Sequence, residues 1–275
     1  MAADTSDGGR PRVQSALRVA AAGLERYWLH SWTVLVLAFL YTPIVVMVVF
    51  SFEKGAFSSL PWDGFTLEWY AELLATPTAL DAIYYSLLVA VVVTAVGTTV
   101  GTLGAIALVR HEFSLKRLYR SLVVAPMTIP GLILGIALLM LFDYLGVARS
   151  LYTVMVGQLV FVVPFVLVTV SARLRGFDRE LEDAARDLGA SRWRTYRHVT
   201  IPLLAPGIVS GALFAFTLSF DDFLIAFFTS GPLNTLPVYI YSNVIRSTTP
   251  VVNAISAVAL LVSMTLIASS RYFQR

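Results

Sequence analysis

The sequence predicts an all-α integral membrane protein with six transmembrane helices. Hydrophobic residues fill 57% of the 275 positions and charged residues only 13%, which is about half the charged fraction of a soluble domain. Six long apolar runs each reach the ~20 residues that a helix needs to cross a bilayer. These runs span approximately residues 32–52, 82–109, 121–142, 150–172, 206–228 and 251–270.

The distribution of basic residues predicts the orientation of these helices. Seventeen of the 20 Lys and Arg residues fall in the two tails, in the connection after the second run and in residues 173–205, and only three fall in the remaining connections. Loops rich in Lys and Arg stay in the cytoplasm. We therefore expect a multi-pass protein of the cell membrane whose two termini and residues 173–205 are cytoplasmic.

The chain divides into an N-terminal tail, residues 1–30, and a transmembrane domain, residues 31–275. The tail is mostly polar and contains Gly, Ser and Arg, so we expect it to be disordered. The apolar run after it is too long for the hydrophobic part of a cleavable signal and lacks a small-residue cleavage site. We expect this run to remain as the first transmembrane helix.

The first external connection, residues 53–81, is long, acidic and aromatic. It predicts a short interfacial helix over residues 67–74, with Trp69 and Tyr70 at the level of the lipid headgroups. A docking surface for an external protein and a simple aromatic anchor explain this connection equally well.

Small residues and prolines modify the predicted spans. Glycines four residues apart favour close packing between helices of one bundle, and prolines kink or interrupt helices. The glycine pairs are Gly97/Gly101, Gly131/Gly135 and Gly207/Gly211, and the prolines are Pro43, Pro126, Pro130 and Pro164.

A polar segment, residues 173–205, separates the fourth and fifth runs and contains seven basic residues. Asp178 predicts the start of a short helix by capping it, and Gly189 predicts its end in the left-handed backbone conformation. Ser191 predicts the cap of a second short helix, which Pro202 ends. Two helices of this size are too short to form a hydrophobic core of their own, so we expect a partner protein to cover their apolar face.

The spacing of small residues in this segment resembles the EAA loop of ABC-importer permease subunits, which reads Glu-Ala-Ala, three residues, Gly, nine residues, Ile-x-Leu-Pro. The matching residues are Asp183-Ala184-Ala185, Gly189 and Val199-Thr200-Ile201-Pro202. Asp, Val and Ile replace Glu, Ile and Leu of the motif within the same chemical classes, and Glu182 lies beside Asp183. We call residues 173–205 the EAA-like segment.

The resemblance implies that this segment couples the membrane domain to cytoplasmic ATPase subunits. The residues that it assigns to this coupling are Glu182, Asp183, Ala184, Ala185, Gly189 and Pro202. A solvated basic loop would not need the Ala–Gly–Pro spacing. A DNA-reading helix–turn–helix fits part of the spacing, but a loop tethered to the bilayer at both ends could not easily reach a major groove.

The adjacent carboxyl groups of Asp221 and Asp222 lie inside the fifth predicted span. A carboxylate in hydrocarbon costs roughly 2.5–3.5 kcal/mol, so by default it faces a cavity, a partner or an ion path. Phe220 and Phe223 flank the pair, and carboxylates beside aromatic rings suit an organic cation. Adjacent helix residues point about 100° apart, so we expect unequal contributions, with Asp222 as the stronger candidate.

A structural interpretation of the acidic pair has similar weight. One aspartate would cap a broken helix or pair with a cation of a partner subunit, and the other would only be hydrated.

Further stretches resemble the spermidine/putrescine-type importer permeases. They are WDGFTLEWYAELL, FVVPFVLVTVSARLRGFDRELEDAARDLGAS, FTLSFDDF and SGPLNTLPVYIYSNVI, and the similarity covers most of residues 31–270. It implies a type I ABC importer core that takes up polyamines by alternating access in a prokaryotic cytoplasmic membrane. The implied partners are a second homologous permease, two ATP-binding subunits and an extracytoplasmic solute-binding protein. Relatives in this branch serve other small solutes, so a different solute stays open.

The sequence also argues against other classes of function. It contains no GxxxxGK[ST] motif, so we expect no ATPase site of its own and ATP bound only by partner subunits. Its three histidines are far apart and cysteine is absent, which gives no metal-ligand spacing and predicts no cofactor. A secondary transporter would need ionisable groups on several spans, and a scaffold would need neither the acidic pair nor the EAA-like segment.

Overall fold

The computed structural model describes residues 10–55, 61–246 and 251–273, and helices form the architecture of these ranges. The α-helices are α1 (Arg10–Phe50), α2 (Glu68–Ala75), α3 (Pro77–Arg110), α4 (Lys116–Val124), α5 (Gly131–Tyr144), α6 (Leu151–Arg175), α7 (Glu180–Asp187), α8 (Arg192–Thr195), α9 (Ile201–Phe220), α10 (Leu224–Thr229), α11 (Leu236–Arg246) and α12 (Val251–Phe273). A 3₁₀ turn, Ala125–Thr128, follows α4, and a π turn, Tyr196–Thr200, joins α8 to α9.

Several helices are suited to crossing a membrane. Within the described ranges, four stretches are long and apolar enough, namely Tyr27–Phe50, Pro77–Arg110, Leu151–Arg175 and Arg192–Phe220. A fifth results if the bent pair formed by residues 116–128 and 131–144 counts as one span. The described apolar parts of α11 and α12 are shorter. The chain is therefore a multi-pass, all-helical membrane protein.

The third predicted run is not one straight helix, which corrects the span 121–142. The chain bends by 108° between the 3₁₀ turn and α5. Pro126 and Pro130 provide no backbone N–H, and Ile129, which precedes Pro130, has an extended backbone with ψ 127° as the residue before a proline prefers. The predicted interruption by these two prolines is confirmed, whereas Pro43 and Pro164 lie inside continuous helices.

The fifth predicted run, 206–228, also differs in the structure. Its helix begins earlier, at Ile201, and ends at Phe220, and a separate short helix, α10, begins at Leu224. The acidic pair lies at this break.

The core lies where α3, α6 and α9 pack on one another, with Val93, Val166 and Leu204 fully buried. A Cβ atom on Gly101 would lie 2.7 Å from the Cβ atom of Val166, so only glycine allows α3 and α6 to approach this closely. All three glycine pairs face other helices of this chain, as the sequence predicts: two of them face α6 and the third, Gly131/Gly135, faces α10.

Helix α1 begins at Arg10, within the tail predicted to be disordered, and it continues through residues 10–30. This stretch is rich in Ala, Leu and Arg, which are strong helix formers. Residues 1–9 lie outside the described residues.

The predicted interfacial helix 67–74 corresponds to α2, which ties the connection between α1 and α3 to the end of α1. Trp69 Nε1 donates a hydrogen bond to the Glu53 backbone oxygen at 2.6 Å, and the hydroxyl groups of Tyr70 and Ser51 are 2.6 Å apart. Trp69 and Tyr70 therefore fix α2 to the residues that directly follow α1.

Candidate functional site

Asp222 lies at the break between α9 and α10 and caps the start of α10. Its carboxylate accepts hydrogen bonds from the backbone N–H groups of Ile225 and Ala226, at 3.4 and 3.0 Å. These N–H groups belong to the first turn of α10, which has no intrahelical partners for them. The cap that the sequence analysis considered as an alternative is therefore present, and Asp222 provides it.

Gln158, a fully buried residue of α6, fixes the position of this cap. Its Nε2 donates to Asp222 Oδ2 at 3.0 Å and to the Ser219 backbone oxygen at 3.3 Å, and its Oε1 accepts from the Ser219 hydroxyl group. The amide thus bridges the last turn of α9 and the start of α10. Sequence reasoning missed Gln158, although a lone amide in the middle of an apolar span is a signal for a functional or bridging role.

Asp221 has a different environment from its neighbour. It is exposed, and within the described residues its carboxylate makes no hydrogen bond or ion pair. It lines a cavity of about 580 Å³ whose other lining residues come mainly from α9, α11, α12 and the C-terminal end of α1. The geometry therefore directs Asp221, rather than Asp222, towards open space.

The wall of this cavity is mostly apolar and partly aromatic. Phe220, Phe223 and Tyr241 line it together with aliphatic residues such as Ile240 and Leu260. The rings of Phe223 and Tyr241 have centroids 4.7 Å apart, so they form one aromatic surface. Tyr241 is a second residue that sequence reasoning did not single out. A carboxylate beside aromatic faces and aliphatic walls can bind an ammonium group and the carbon chain attached to it.

The EAA-like segment folds largely as predicted. Asp178 Oδ1 accepts from the Glu180 N–H at 3.1 Å near the start of α7, and Ser191 Oγ accepts from the Arg194 N–H at 3.4 Å near the start of α8. Gly189 has a φ angle of +88°, which confirms the predicted left-handed conformation after α7.

Pro202 does not end the second helix, which corrects the prediction. It is the second residue of α9, and residues 192–220 form one helical stretch. The π turn accommodates the proline, because the Ile201 N–H bonds to the Tyr196 oxygen five residues back and the hydrogen-bond register shifts before the missing N–H is reached.

Glu182 is buried and joins the segment to the transmembrane helices. Its Oε2 lies 3.3 Å from Arg110 Nε at the end of α3, and its Oε1 accepts from the Thr200 hydroxyl group at 2.9 Å. The Arg110 guanidinium also lies 4.7 Å from the centre of the Phe177 ring. Glu182 is therefore an internal contact of the segment, whereas Asp183 is exposed and pairs with Arg186 at 3.2 Å.

The other side of the segment is an exposed apolar surface. Leu188 is 90% exposed, Trp193 70% and Leu181 50%. Ala184 is exposed on the same helix as Leu181, and Ala185 is half-buried. We call Leu181, Ala184, Leu188 and Trp193 the apolar face of the EAA-like segment.

Among the described residues, the side chains of His, Asp and Glu do not form a group of three or more that could hold a metal ion.

Known proteins resemble this chain both in sequence and in fold. Residues 97–275 match the family described as binding-protein-dependent transport system inner membrane component. The chain is 36% identical over 239 residues to the spermidine/putrescine transport system permease protein PotC of Escherichia coli K12, covering 86% of this chain and 90% of that protein. It is 35% identical over 241 residues to the putrescine transport system permease protein PotI of the same organism, covering 83% and 85%.

A solved structure shares the fold at much lower identity. It is a bacterial ABC transporter involved in the import of the acidic polysaccharide alginate, with a TM-score of 0.71 and 16% identity over 95% of this chain and 100% of that chain.

Proposed function

Because the chain belongs to the binding-protein-dependent transport system inner membrane components, we propose that it is one permease subunit of an ATP-driven importer of polyamines. The observation that carries the solute class is the carboxylate of Asp221 in an apolar, aromatic cavity at a helix break. Relatives that are 35–36% identical bear the names of spermidine/putrescine and putrescine permeases.

The chemistry of the cavity matches that of a polyamine. Such a solute carries ammonium groups separated by short methylene chains. The Asp221 carboxylate would pair with one ammonium group, the rings of Phe220, Phe223 and Tyr241 would favour the cation through their faces, and aliphatic residues would contact the methylene groups. A volume of about 580 Å³ leaves room for a chain of this kind.

Asp222 and Gln158 have a positioning role in this proposal. Their hydrogen bonds hold the end of α9 against the start of α10. The helix is therefore interrupted at the point where Asp221 lines the cavity. Non-helical backbone at membrane depth is tolerated where protein buries it or where it lines a cavity.

The apolar face of the EAA-like segment is the proposed contact with an ATP-binding subunit. Leu188 and Trp193 are large and strongly exposed, and Gly189 sets the turn between α7 and α8. Glu182, through Arg110 and Thr200, would transmit movement of the segment to α3 and α9. In this scheme α7 and α8 are the coupling helices, and Asp183 and Ala185 lie at the rim of the contact.

The proposed assembly is the one that the family implies. It contains six transmembrane helices in this chain, with both termini and the EAA-like segment in the cytoplasm, and a second homologous permease that completes the path. Two cytoplasmic subunits bind and hydrolyse ATP, and an extracytoplasmic binding protein delivers the solute. ATP-driven closure of the ATPase pair opens the path outwards, and its release opens the path inwards.

Uptake by the reconstituted complex tests this function. In proteoliposomes that contain ATP, we expect accumulation of labelled spermidine or putrescine that requires the binding protein and stops with vanadate. A neutral amino acid should not compete with the labelled polyamine. ATP-dependent uptake of an uncharged solute in place of polyamines would contradict the solute class, and uptake without ATP would contradict the importer class.

A further inference from the structure

A second cavity, of about 710 Å³, lies between α4 and the end of α6 and is separate from the cavity that Asp221 lines. Three arginines line it: Arg117 and Arg120 of α4, and Arg175, which is the last residue of α6. Among the described residues, none of the three lies within ion-pair distance of a carboxylate. Three unpaired cations around one cavity favour an anionic ligand.

Hydroxyl groups extend this cationic site inwards. Ser121 and Thr128 line the cavity with Ser171 of α6. Ser171 is only 5% exposed, and its Oγ has no hydrogen-bond partner within the described part of the chain. A buried hydroxyl group without a partner is costly, so a ligand with acceptor oxygens would satisfy it.

The deeper wall of the cavity is apolar. Leu108, Leu167 and Val168 line it, and Val168 lies seven residues before Arg175, which is about 10 Å further along α6 at ~1.5 Å per residue. The cavity therefore combines a cationic end with an apolar wall that runs towards the middle of the membrane. This is the polarity of a phospholipid, with a charged headgroup followed by acyl chains.

Helix α4 also has the character of a helix that lies in the membrane interface. Arg117 and Arg120 lie on the side of α4 that faces the cavity, whereas Leu118 and Leu122 on the opposite side are 53% and 64% exposed. Such amphipathic helices lie at the boundary between headgroups and acyl chains.

We propose that this cavity binds the headgroup of an anionic phospholipid from the cytoplasmic leaflet. The proposal rests on the orientation proposed above, which places α4 and the end of α6 at that leaflet. The arginines would bind the phosphate oxygens, Ser171 would donate to one of them, and the acyl chains would follow Leu167 and Val168. The three cations would repel a polyamine, so this site is not part of the solute path. Basic cavities between transmembrane helices on this side of a membrane are suited to anionic lipids.

Lipid retention by the assembled complex tests the proposal without any transport measurement. The complex is extracted from bilayers of phosphatidylcholine and phosphatidylglycerol, and native mass spectrometry counts the lipids retained on it. We expect preferential retention of phosphatidylglycerol and a loss of roughly tenfold or more in the double variant Arg117→Gln/Arg120→Gln, since each basic residue near the surface contributes to anionic-lipid binding.

Lys116→Gln is the matched control. Lys116 precedes Arg117 on the same helix and pairs with Glu112 at 2.6 Å, but it does not line the cavity. Removing its charge should leave phosphatidylglycerol retention within about twofold of the unmodified complex. If the double variant does not assemble, the single variants Arg117→Gln and Arg120→Gln replace it.

Three outcomes would overturn the proposal. Equal losses in Lys116→Gln and the arginine variants would show only a general surface charge effect. Displacement of the lipid by millimolar inorganic phosphate would assign the cavity to a free anion. Absence of lipid on the unmodified complex, together with failed assembly of the double variant, would assign the cavity to a protein partner. Polyamine uptake does not enter this test, so its outcome is independent of the proposed function.

Discussion

Replacing Glu182 by glutamine should loosen the EAA-like segment strongly. Glutamine keeps the shape of the side chain and an oxygen that can accept from Thr200, so the substitution removes mainly the charge. It leaves the Arg110 guanidinium, whose side chain is 9% exposed, without the carboxylate at 3.3 Å. Breaking a buried ion pair by removing one partner costs about 3–5 kcal/mol. We take about 3 kcal/mol, because the Phe177 ring still contacts Arg110.

Hydrogen–deuterium exchange of the purified complex measures this effect locally. A loss of about 3 kcal/mol in the opening free energy corresponds to exchange about a hundredfold faster for the backbone amides of α7. Asp183→Asn is the matched control, because Asp183 is the next residue on the same helix and its pair with Arg186 is 53% and 42% exposed. An exposed pair of this kind contributes only about 0.3–0.5 kcal/mol, so its exchange should change by less than about threefold.

The double variant Glu182→Gln/Arg110→Met completes the test. The glutamine keeps an acceptor for the buried Thr200 hydroxyl group, and the methionine removes the buried charge that has lost its partner. Most of the lost protection should therefore return. Exchange in Glu182→Gln that is no faster than in Asp183→Asn would contradict the role of the Glu182–Arg110 pair. A double variant as unprotected as Glu182→Gln would contradict it as well.

Three further predictions concern the cap of α10, the turn at Gly189 and the orientation of the chain in the membrane. Asp222→Ala should lower the free energy of unfolding by about 1–2 kcal/mol through loss of the α10 cap, whereas Asp221→Ala should change it little; equal effects in detergent melts would argue against the cap. Gly189→Ala should cost about 1 kcal/mol because φ is +88°, and Gly176→Ala, at φ −83°, should cost less than half of that; the reverse order in the same melts would contradict the turn. A cysteine at Ser191 should resist an impermeant reagent applied outside intact cells, while cysteines at Ser58 and Ser247, which lie outside the described residues, should react; labelling at Ser191 would reverse the proposed orientation.

Local signals in the sequence predict the parts of the fold that depend on neighbouring residues. The helix over residues 67–74, the cap at Ser191 and the left-handed Gly189 all follow from patterns a few residues long. The long apolar helices follow from composition alone.

The parts that depend on distant residues could not be predicted in this way. Asp222 is positioned by Gln158, 64 residues earlier in the chain, and this contact decides which aspartate enters the cavity. Glu182 pairs with Arg110 across a similar sequence distance. The position at which a helix ends also depends on the register of its backbone hydrogen bonds. The π turn before Pro202 shifts this register, and α9 therefore continues through the proline.

Polyamine uptake by the Asp221→Asn complex tests whether the cavity that Asp221 lines belongs to the solute path. Asparagine removes the charge with little change of shape, and a charge-assisted hydrogen bond contributes about 1.5–3 kcal/mol. We therefore expect uptake to fall by roughly tenfold or more, while assembly of the complex and solute binding by the external protein stay unchanged. Asp143→Asn, at an exposed carboxylate near the end of α5, should transport at the unmodified rate. An intact Asp221→Asn complex that also transports at the unmodified rate would contradict the assignment of this cavity to the solute path.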